Sequence, residues 1–466
     1  MMICGMIMND TPLFTRRHWL QRTSAGFGWL AFSALFAERA SAADNPLVPK
    51  QPHFPARAKR VLFLCMDGGP SHVDCFDYKP ELIKRAGQPI GKGNVPTGKL
   101  MPPAWEFRQH GLSGLWISDL FPHLAQHADK LCLIRSMQTD VPNHPPAFLQ
   151  LHTGIPTAPR PSIGAWIRYG LGTLNENLPG FVTMCPTRSN GGPANYGSSF
   201  LPAICQGTPI GSNLAPIAQA QIKNLANPRL SPAEQRAELD FVQQLNRIAL
   251  ERESETAAIE GLIESHELAF RMQGALPQVM DFDKESATTR RLYGIDNPTS
   301  ENFGRQCLMA RRLLEAGVRF VEVCHSGWDQ HLNLKADHGK HAAATDLPIA
   351  GLLTDLEGRG LLKDTLVIWA GEFGRTPYAQ TADGRDHNHR GFTTWMAGGG
   401  VQPGYAYGET DEFGLEAVLN PVHIHDWHAT ILHLLGLDHE RLTYRYAGRD
   451  MRLTDTKGHV VKGILG

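Results

Sequence analysis

Short stretches in which nearly every residue is apolar recur along the chain: VLFLCM (61–66), LCLIRS (131–136), FVTM (181–184), RFVEVC (319–324) and TLVIWA (365–370). A strand with one wet face alternates apolar and polar residues, so runs without alternation predict strands covered on both faces. Helical spacing of apolar residues lies between these runs. LPIAGLLTDLEGRGLL (347–362) feeds directly into TLVIWA, and HDWHATILHLLGL (425–437) repeats the pattern near the C-terminus. Together they predict an α/β fold: a mostly parallel central sheet with helices on both faces.

Residues 231 to about 275 carry the clearest helical pattern. Ser231 as N-cap, Pro232 at the first helical position and Glu234 three after the cap form a capping box, and Leu239, Val242, Leu245 and Ile248 follow on one face. With Glu and Arg crowding the other face, this segment is expected to lie over the sheet as a helical layer. Residues 185–230, rich in Gly, Pro, Asn and Ser, predict a long surface excursion. The expected organisation is one domain over residues 59–466, with 185–318 an excursion and helical insertion.

The N-terminus reads as an address. Arg16 and Arg17 precede an apolar run from about Gly26 to Ala37, and Ala40-Ser41-Ala42 supplies small residues for cleavage. This predicts a twin-arginine signal over 1–42, a linker over 43–58, passage through the twin-arginine export machinery, and an exported, periplasmic or extracellular protein. The alternative is an uncut N-terminal anchor, and Met2, Met6 and Met8 leave the true start open. The apolar run is shorter than the roughly 20 residues a spanning helix needs, so no stable membrane insertion is expected after cleavage. Such signals serve proteins that cross already folded, which suits one carrying a metal.

Lys plus Arg number 45 against 46 Asp plus Glu, with no basic block after the signal, which argues against nucleic acid as a partner. Seven cysteines follow the leader, widely spaced and without a Cys-x-x-Cys pair, so mostly free buried thiols and no finger-like zinc site are expected. Cys65 and Cys324, inside apolar runs, read as small hydrophobes.

Candidate chemistry gathers just after the predicted strands. MDGGPSHVDCFD (66–77) puts Asp67 at a strand's carboxyl end, where ligands collect in open parallel sheets, with Ser71, His72 and Asp74 near enough to join it. Asp67 as a mere turn cap is the competing reading. HSGWDQHLN (325–333) offers Asp329 and His331, with His325 close behind; mixed carboxylate and imidazole donors suit zinc, manganese or iron better than calcium. WAGEFGRTP (369–377) adds Glu372 as a ligand candidate and Arg375 as a fork for an anionic oxygen pair. DGRDHNHRGF (383–392) adds His387 and His389 as further imidazole candidates, two residues apart and so on one face if the segment is extended. Twelve of the 21 histidines lie in 319–466, a skew that favours a site over scattered core use. The simplest joint purpose of these groups is to hold one or two divalent cations that polarise a substrate and lower the pKa of a water.

Taken in order, VLFLCMDGGPSH, the stretch 118–154 ending in NHPPAFLQLHTG, KDTLVIWAGEFG, GRDHNH and VHIHDWHATILHLLGL resemble the alkaline phosphatase and sulfatase superfamily, and within it a family of exported proteins of unknown function. The resemblance runs from about Arg60 to the end and implies an alkaline-phosphatase-like fold, Asp67 as a metal ligand, and a hydrolase of phosphate or sulfate esters, on a small molecule or a polysaccharide. The chain departs from the pattern at two places. Counting back from Thr153-Gly154, the sulfatase nucleophile position falls on His144, and the metal-binding Asp-His pair is Glu372-Phe373. His144 is then expected as a metal ligand or base rather than a covalent nucleophile, with Ser71 an alternative nucleophile and metal-activated water the expected attacking group. The rival reading is a metal-stabilised, non-catalytic binding protein on the same fold.

Overall fold

A computed structural model of the chain describes residues 48–90, 98–220, 229–252, 256–282 and 284–466. The predicted signal lies outside these residues, as does the first part of the predicted linker. Five of the central strands are the five apolar runs: β1 (Arg60–Asp67), β2 (Leu131–Gln138), β3 (Phe181–Met184), then, beyond β4 (Thr208–Ile210), β5 (Phe320–Ser326) and β6 (Thr365–Ala370). Val61 through Met66 are all buried, as strands covered on both faces require. A two-stranded ribbon follows, β7 (Gly374–Ala379) and β8 (Arg385–Asn388), then β9 (Phe392–Ala397), β10 (Tyr405–Tyr407) and β11 (Val422–His423).

Among the described residues the main sheet has nine strands in the order β10-β2-β9-β6-β1-β5-β3-β4, with β11 also paired to β2. It is largely parallel: β1 pairs in parallel with both β5 and β6, and β9 alone runs antiparallel, between β2 and β6. The antiparallel strand, FTTWMA, was not foreseen from the sequence.

Helices cover both faces. Facing residues of parallel neighbours share a side, so Phe63 and Glu322 look the same way, toward α1 (His144–Thr153) and, further along the chain, α7 (Ile424–Leu434). Phe63 packs edge-on against Trp427, and Glu322 meets His152. On the opposite side, His325 meets Phe303 of α5 (Glu301–Glu315), and α6 (Leu334–Gly358) packs beside α5. The apolar spacing over 347–362 marked only part of α6; the helix begins thirteen residues before Leu347 and carries Pro348 inside it. Helix α2 (Ile163–Leu171) lies between α1 and β3 in the chain.

The long helical pattern is two helices, α3 (Pro232–Arg252) and α4 (Thr256–Met280). The capping box is present: Ser231 N donates to Glu234 Oε2 at 2.8 Å and Glu234 N to Ser231 Oγ at 3.3 Å. Arg236 clamps the pair with a bidentate bond to Glu267 at 2.8 and 2.9 Å. The expected layer over the sheet is corrected: α4 packs chiefly on α3, on α5 and on the turn Ala203–Cys205, because the sheet face it would have covered is taken by α5 and α6.

Residues Pro49–Gly466 form one compact unit. The later part of the predicted linker is pinned to it, with Lys50 N bonded to Leu171 O and Arg57 N to Leu434 O. All seven described cysteines are free and buried. Among the described residues no helix is long and apolar enough to cross a membrane.

Candidate metal centre

Strands β6, β1 and β5 are adjacent and parallel, so their carboxyl ends share a rim. The three chain segments leaving it are laced together by backbone. Gly327 N and Trp328 N both donate to Asp67 O at 3.1 Å, and Gly68 N donates to both oxygens of Glu372 at 3.1 and 3.2 Å. Gly68 is needed here twice over: its φ is +117°, and a Cβ would fall 2.7 Å from the backbone nitrogens of Trp328 and Asp329. Gly68→Ala is therefore expected to destabilise the chain by about 1–3 kcal/mol and displace Asp329. Chemical denaturation checks this, and an unchanged unfolding midpoint would mean that the loop can yield.

Asp329 is the hub. Its Oδ1 lies 2.9 Å from His331 Nε2, 3.2 Å from His144 Nε2, 3.3 Å from His387 Nε2 and 2.6 Å from Arg375 Nη2. His331 Nε2 and His387 Nε2 are themselves 2.9 Å apart. Donor atoms of His144, Asp329, His331 and His387 all lie within 4.8 Å of one another. Three separate elements deliver the four residues: the first residue of α1, the loop after β5 for Asp329 and His331, and the ribbon strand β8.

The outer nitrogen of each ring decides what the inner one can do. His144 Nδ1 faces Glu372 Oε1 at 2.6 Å, His387 Nδ1 faces Pro142 O at 2.6 Å, and His331 Nδ1 faces the carboxamide oxygen of Gln380. Each partner is an acceptor, so each Nδ1 carries the proton in the neutral ring and each Nε2 presents a lone pair. Three lone pairs then converge on an anionic oxygen. Such an arrangement repels itself unless positive charge sits among the donors, and His144 Nε2 is buried without a well-aligned hydrogen bond. The same need appears in the titration. Burial alone would lower the His144 pKa, but Asp329 and Glu372 at its two nitrogens push it up to about 9. Burial would raise the Asp329 carboxyl, yet His144, His387 and Arg375 hold it far below the usual carboxylate range.

The donor set fits a divalent cation of the zinc, manganese or iron class: three imidazoles and a carboxylate, each imidazole oriented by an oxygen acceptor behind it. Inter-donor separations of 2.9–3.3 Å are close to the edge of a tetrahedron with bonds of about 2.0–2.1 Å.

The other sequence candidates fall elsewhere. Asp67 is on the same rim but outside the four-donor group; Asn190 Nδ2 donates to its Oδ1 at 2.7 Å and Ser326 Oγ to its Oδ2 at 2.9 Å. Glu372, fully buried, stands behind His144 rather than among the four. His389 lies past the end of β8, where the chain bends, and its charged neighbours are Arg390 and Asp140. Arg375 is wholly buried. Its Nε donates to Gly69 O at 2.9 Å, its Nη1 to Arg385 O at 3.3 Å, and its Nη2 to Asp329 and Gly68 O, which leaves no fork for a substrate. Ser71 is buried with its hydroxyl on Asp74, which corrects its candidacy as nucleophile. His72 is buried against Gly414 O, and His325 faces the sheet side opposite Asp67. Pro142 and Gln380, which aim two of the imidazoles, carried no sequence signal, since a carbonyl and a carboxamide become orienting groups only through proximity.

A second group, Cys65, Glu322 and Cys324, also has donors within 4.8 Å of one another. It shows none of this frustration. Glu322 accepts from His152 Nε2 and Thr183 Oγ1, each at 2.6 Å, His152 Nδ1 donates to Phe148 O at 2.8 Å, and the two free thiols share a hydrogen bond. Every polar atom has a partner, as in a buried structural network.

A family model described as a protein of unknown function (DUF1501) matches residues 58–465. No curated protein matches. Among solved structures, the chain is similar to the lipoteichoic acid synthase LtaP from Listeria monocytogenes, at 9% identity and a TM-score of 0.37, covering 87% of this chain and 78% of that one. It is similar to the PsFucS1 sulfatase from Pseudoalteromonas sp., at 14% identity and 0.36, covering 82% and 69%. The phosphonate monoester hydrolase SpPMH from Silicibacter pomeroyi gives 12% identity and 0.36, covering 81% and 73%.

Proposed function

We propose that this chain, which belongs to the DUF1501 family of proteins of unknown function, is a metal-dependent hydrolase of phosphate or sulfate esters that works outside the cytoplasm. The observation that carries the reading is the convergence of three imidazole lone pairs on one carboxylate oxygen, a donor set that calls for a cation. The motif resemblance supports the ester chemistry, and Arg16-Arg17 with the small residues at 40–42 supports passage through the twin-arginine machinery.

His144, Asp329, His331 and His387 would hold the ion. When bound, such a cation lowers the pKa of a water and polarises an ester oxygen. The residues around it do the rest. Glu372 holds the proton on His144 Nδ1 and so keeps Nε2 a donor; Pro142 O and Gln380 do the same for His387 and His331. Arg375, braced on the carbonyls of Gly68 and Gly69, fixes Asp329. That role replaces the substrate contact read for it from the sequence.

Elemental analysis of the purified chain, with hydrolysis of aryl phosphates and aryl sulfates before and after chelation, tests the reading. About one cation per chain and an activity lost to chelator and restored by metal are expected; a chain that holds no cation after supplementation sinks it. Metal retained with every ester untouched would favour the non-catalytic binding protein, a rival that draws on the complete burial of Arg375. Glu372→Gln separates ligand from orienting group. Losing the charge behind His144 is expected to weaken the cation by about 10–100-fold in a chelator competition. Total loss of the ion would make Glu372 a ligand in its own right.

A further inference from the structure

An anionic ester brought to this rim meets the exposed carboxylate of Asp329, with the buried carboxylates of Asp67 and Glu372 close behind, and an arginine whose donors are already spent. A cation beside the metal is needed to receive it, and the loop after β3 supplies one. That loop is fastened to the rim: Asn190 Nδ2 donates to Asp67 Oδ1 at 2.7 Å, and Asn195 Nδ2 holds Asn190 O at 2.6 Å. Gly191, at φ +78°, makes the turn between them, and a Cβ there would fall 2.3 Å from Asn195 Oδ1. Two residues before Asn190 stands Arg188, exposed, and without a hydrogen bond or ion pair among the described residues.

Its neighbourhood is this same edge of the rim. Burial raises the Tyr196 hydroxyl, Glu322 adds to the effect, and the Arg188 guanidinium opposes it across space. Cys324, beside Glu322, in turn feels Asp67. The contrast with the two ribbon arginines is plain. Arg375 and Arg385 are fully buried and saturated by protein acceptors, whereas Arg188 keeps its whole fork of donors.

Resting on the hydrolase reading, we infer that Arg188 is the residue that receives the anionic group of the substrate, a phosphate or sulfate oxygen pair, beside the cation held by Asp329 and its imidazoles. A guanidinium suits that task because two parallel N–H groups match two oxygens of a tetrahedral oxyanion. The loop fastening matters as well, since a charge on a root fixed to Asp67 gives up less freedom on binding than one on a free loop.

Isothermal titration of inorganic phosphate, and separately of sulfate, into the metal-loaded chain tests the assignment. Arg188→Ala is expected to weaken anion binding about tenfold or more, with metal content and unfolding midpoint unchanged because the side chain is exposed. Arg188→Lys, which keeps the charge without the fork, should fall between the two. Equal affinity in wild type and Arg188→Ala overturns the inference, as does a wild-type chain that binds neither anion. A chain without metal would instead overturn the hydrolase reading, while the same titrations into that sample would still decide on Arg188.

Discussion

Asp329→Asn strips the chain of its cation: from about one per chain to under about a tenth, with ester hydrolysis falling to background. The substitution keeps an oxygen for Arg375 to donate to and removes the negative charge around which three Nε2 atoms gather at 2.9–3.3 Å. The fold should survive, because the Asp329 side chain is 42% exposed and no strand depends on it. Metal content by elemental analysis, read beside circular dichroism, checks the expectation. An Asp329→Asn chain that retains its cation in full would mean that the ion sits elsewhere.

The second large effect is on stability. Asp74 and Arg385 form an ion pair with both side chains fully buried, Arg385 Nε donating to Asp74 Oδ2 at 2.7 Å. Ser71 Oγ and Ala104 N also donate to Asp74, and Arg385 donates to the carbonyls of Thr376, Met101 and Pro102 at 3.1 Å. Asp74→Ala leaves a guanidinium in the interior with carbonyls alone for company and is expected to cost about 3–5 kcal/mol. Because Arg385 sits on the ribbon strand that carries His387, metal affinity should weaken with it.

The pH dependence of this pair has a definite sign. Burial by itself would raise the Asp74 carboxyl, but Arg385 together with the Ser71 and Ala104 hydrogen bonds brings it below its ordinary value. A carboxyl lowered in the folded chain contributes stability that is fully present above its unfolded value, about pH 4, and is lost as pH falls through the lowered folded value. The gap between wild type and Asp74→Ala in urea denaturation should therefore be full at pH 7 and narrow under strong acid. A gap of the same size at both ends would show that packing, not the charge, is its source.

Much of the frame was legible in the residues alone. A strand buried on both faces can contain almost nothing polar, so VLFLCM and TLVIWA announce themselves, and chemistry cannot sit within them; it has to wait for their ends, where Asp67, Asp329 and Glu372 stand. The capping box at Ser231 was legible for the same kind of reason, because both hydrogen bonds are made within four residues. What the pattern could not give is anything settled between distant segments. The residues from 232 to 280 look alike whether they form one long helix or a pair, and the clamp that folds them together, Arg236 on Glu267, joins positions 31 apart. FTTWMA has a strand's composition, but its antiparallel insertion between β2 and β6 depends on the route of the chain between them.

At the site the division is finer. The sequence by itself determined which donor types stand near the rim: imidazoles and carboxylates, most of them placed just after strands too apolar to hold them. Only the tertiary structure decided which of them face one another. His387 joins the group and His389 does not, because Asn388 ends the strand by donating to the carbonyls of Gly391, Gly414 and Leu415, and the bend turns the next residue away. Glu372 and Arg375 proved to be braces, since a carboxylate hydrogen-bonded to the outer nitrogen of an imidazole and a guanidinium sealed among carbonyls take roles set by distance and solvent access. Composition fixes what a group can donate or accept; direction and burial, which fix what it does, belong to the folded chain.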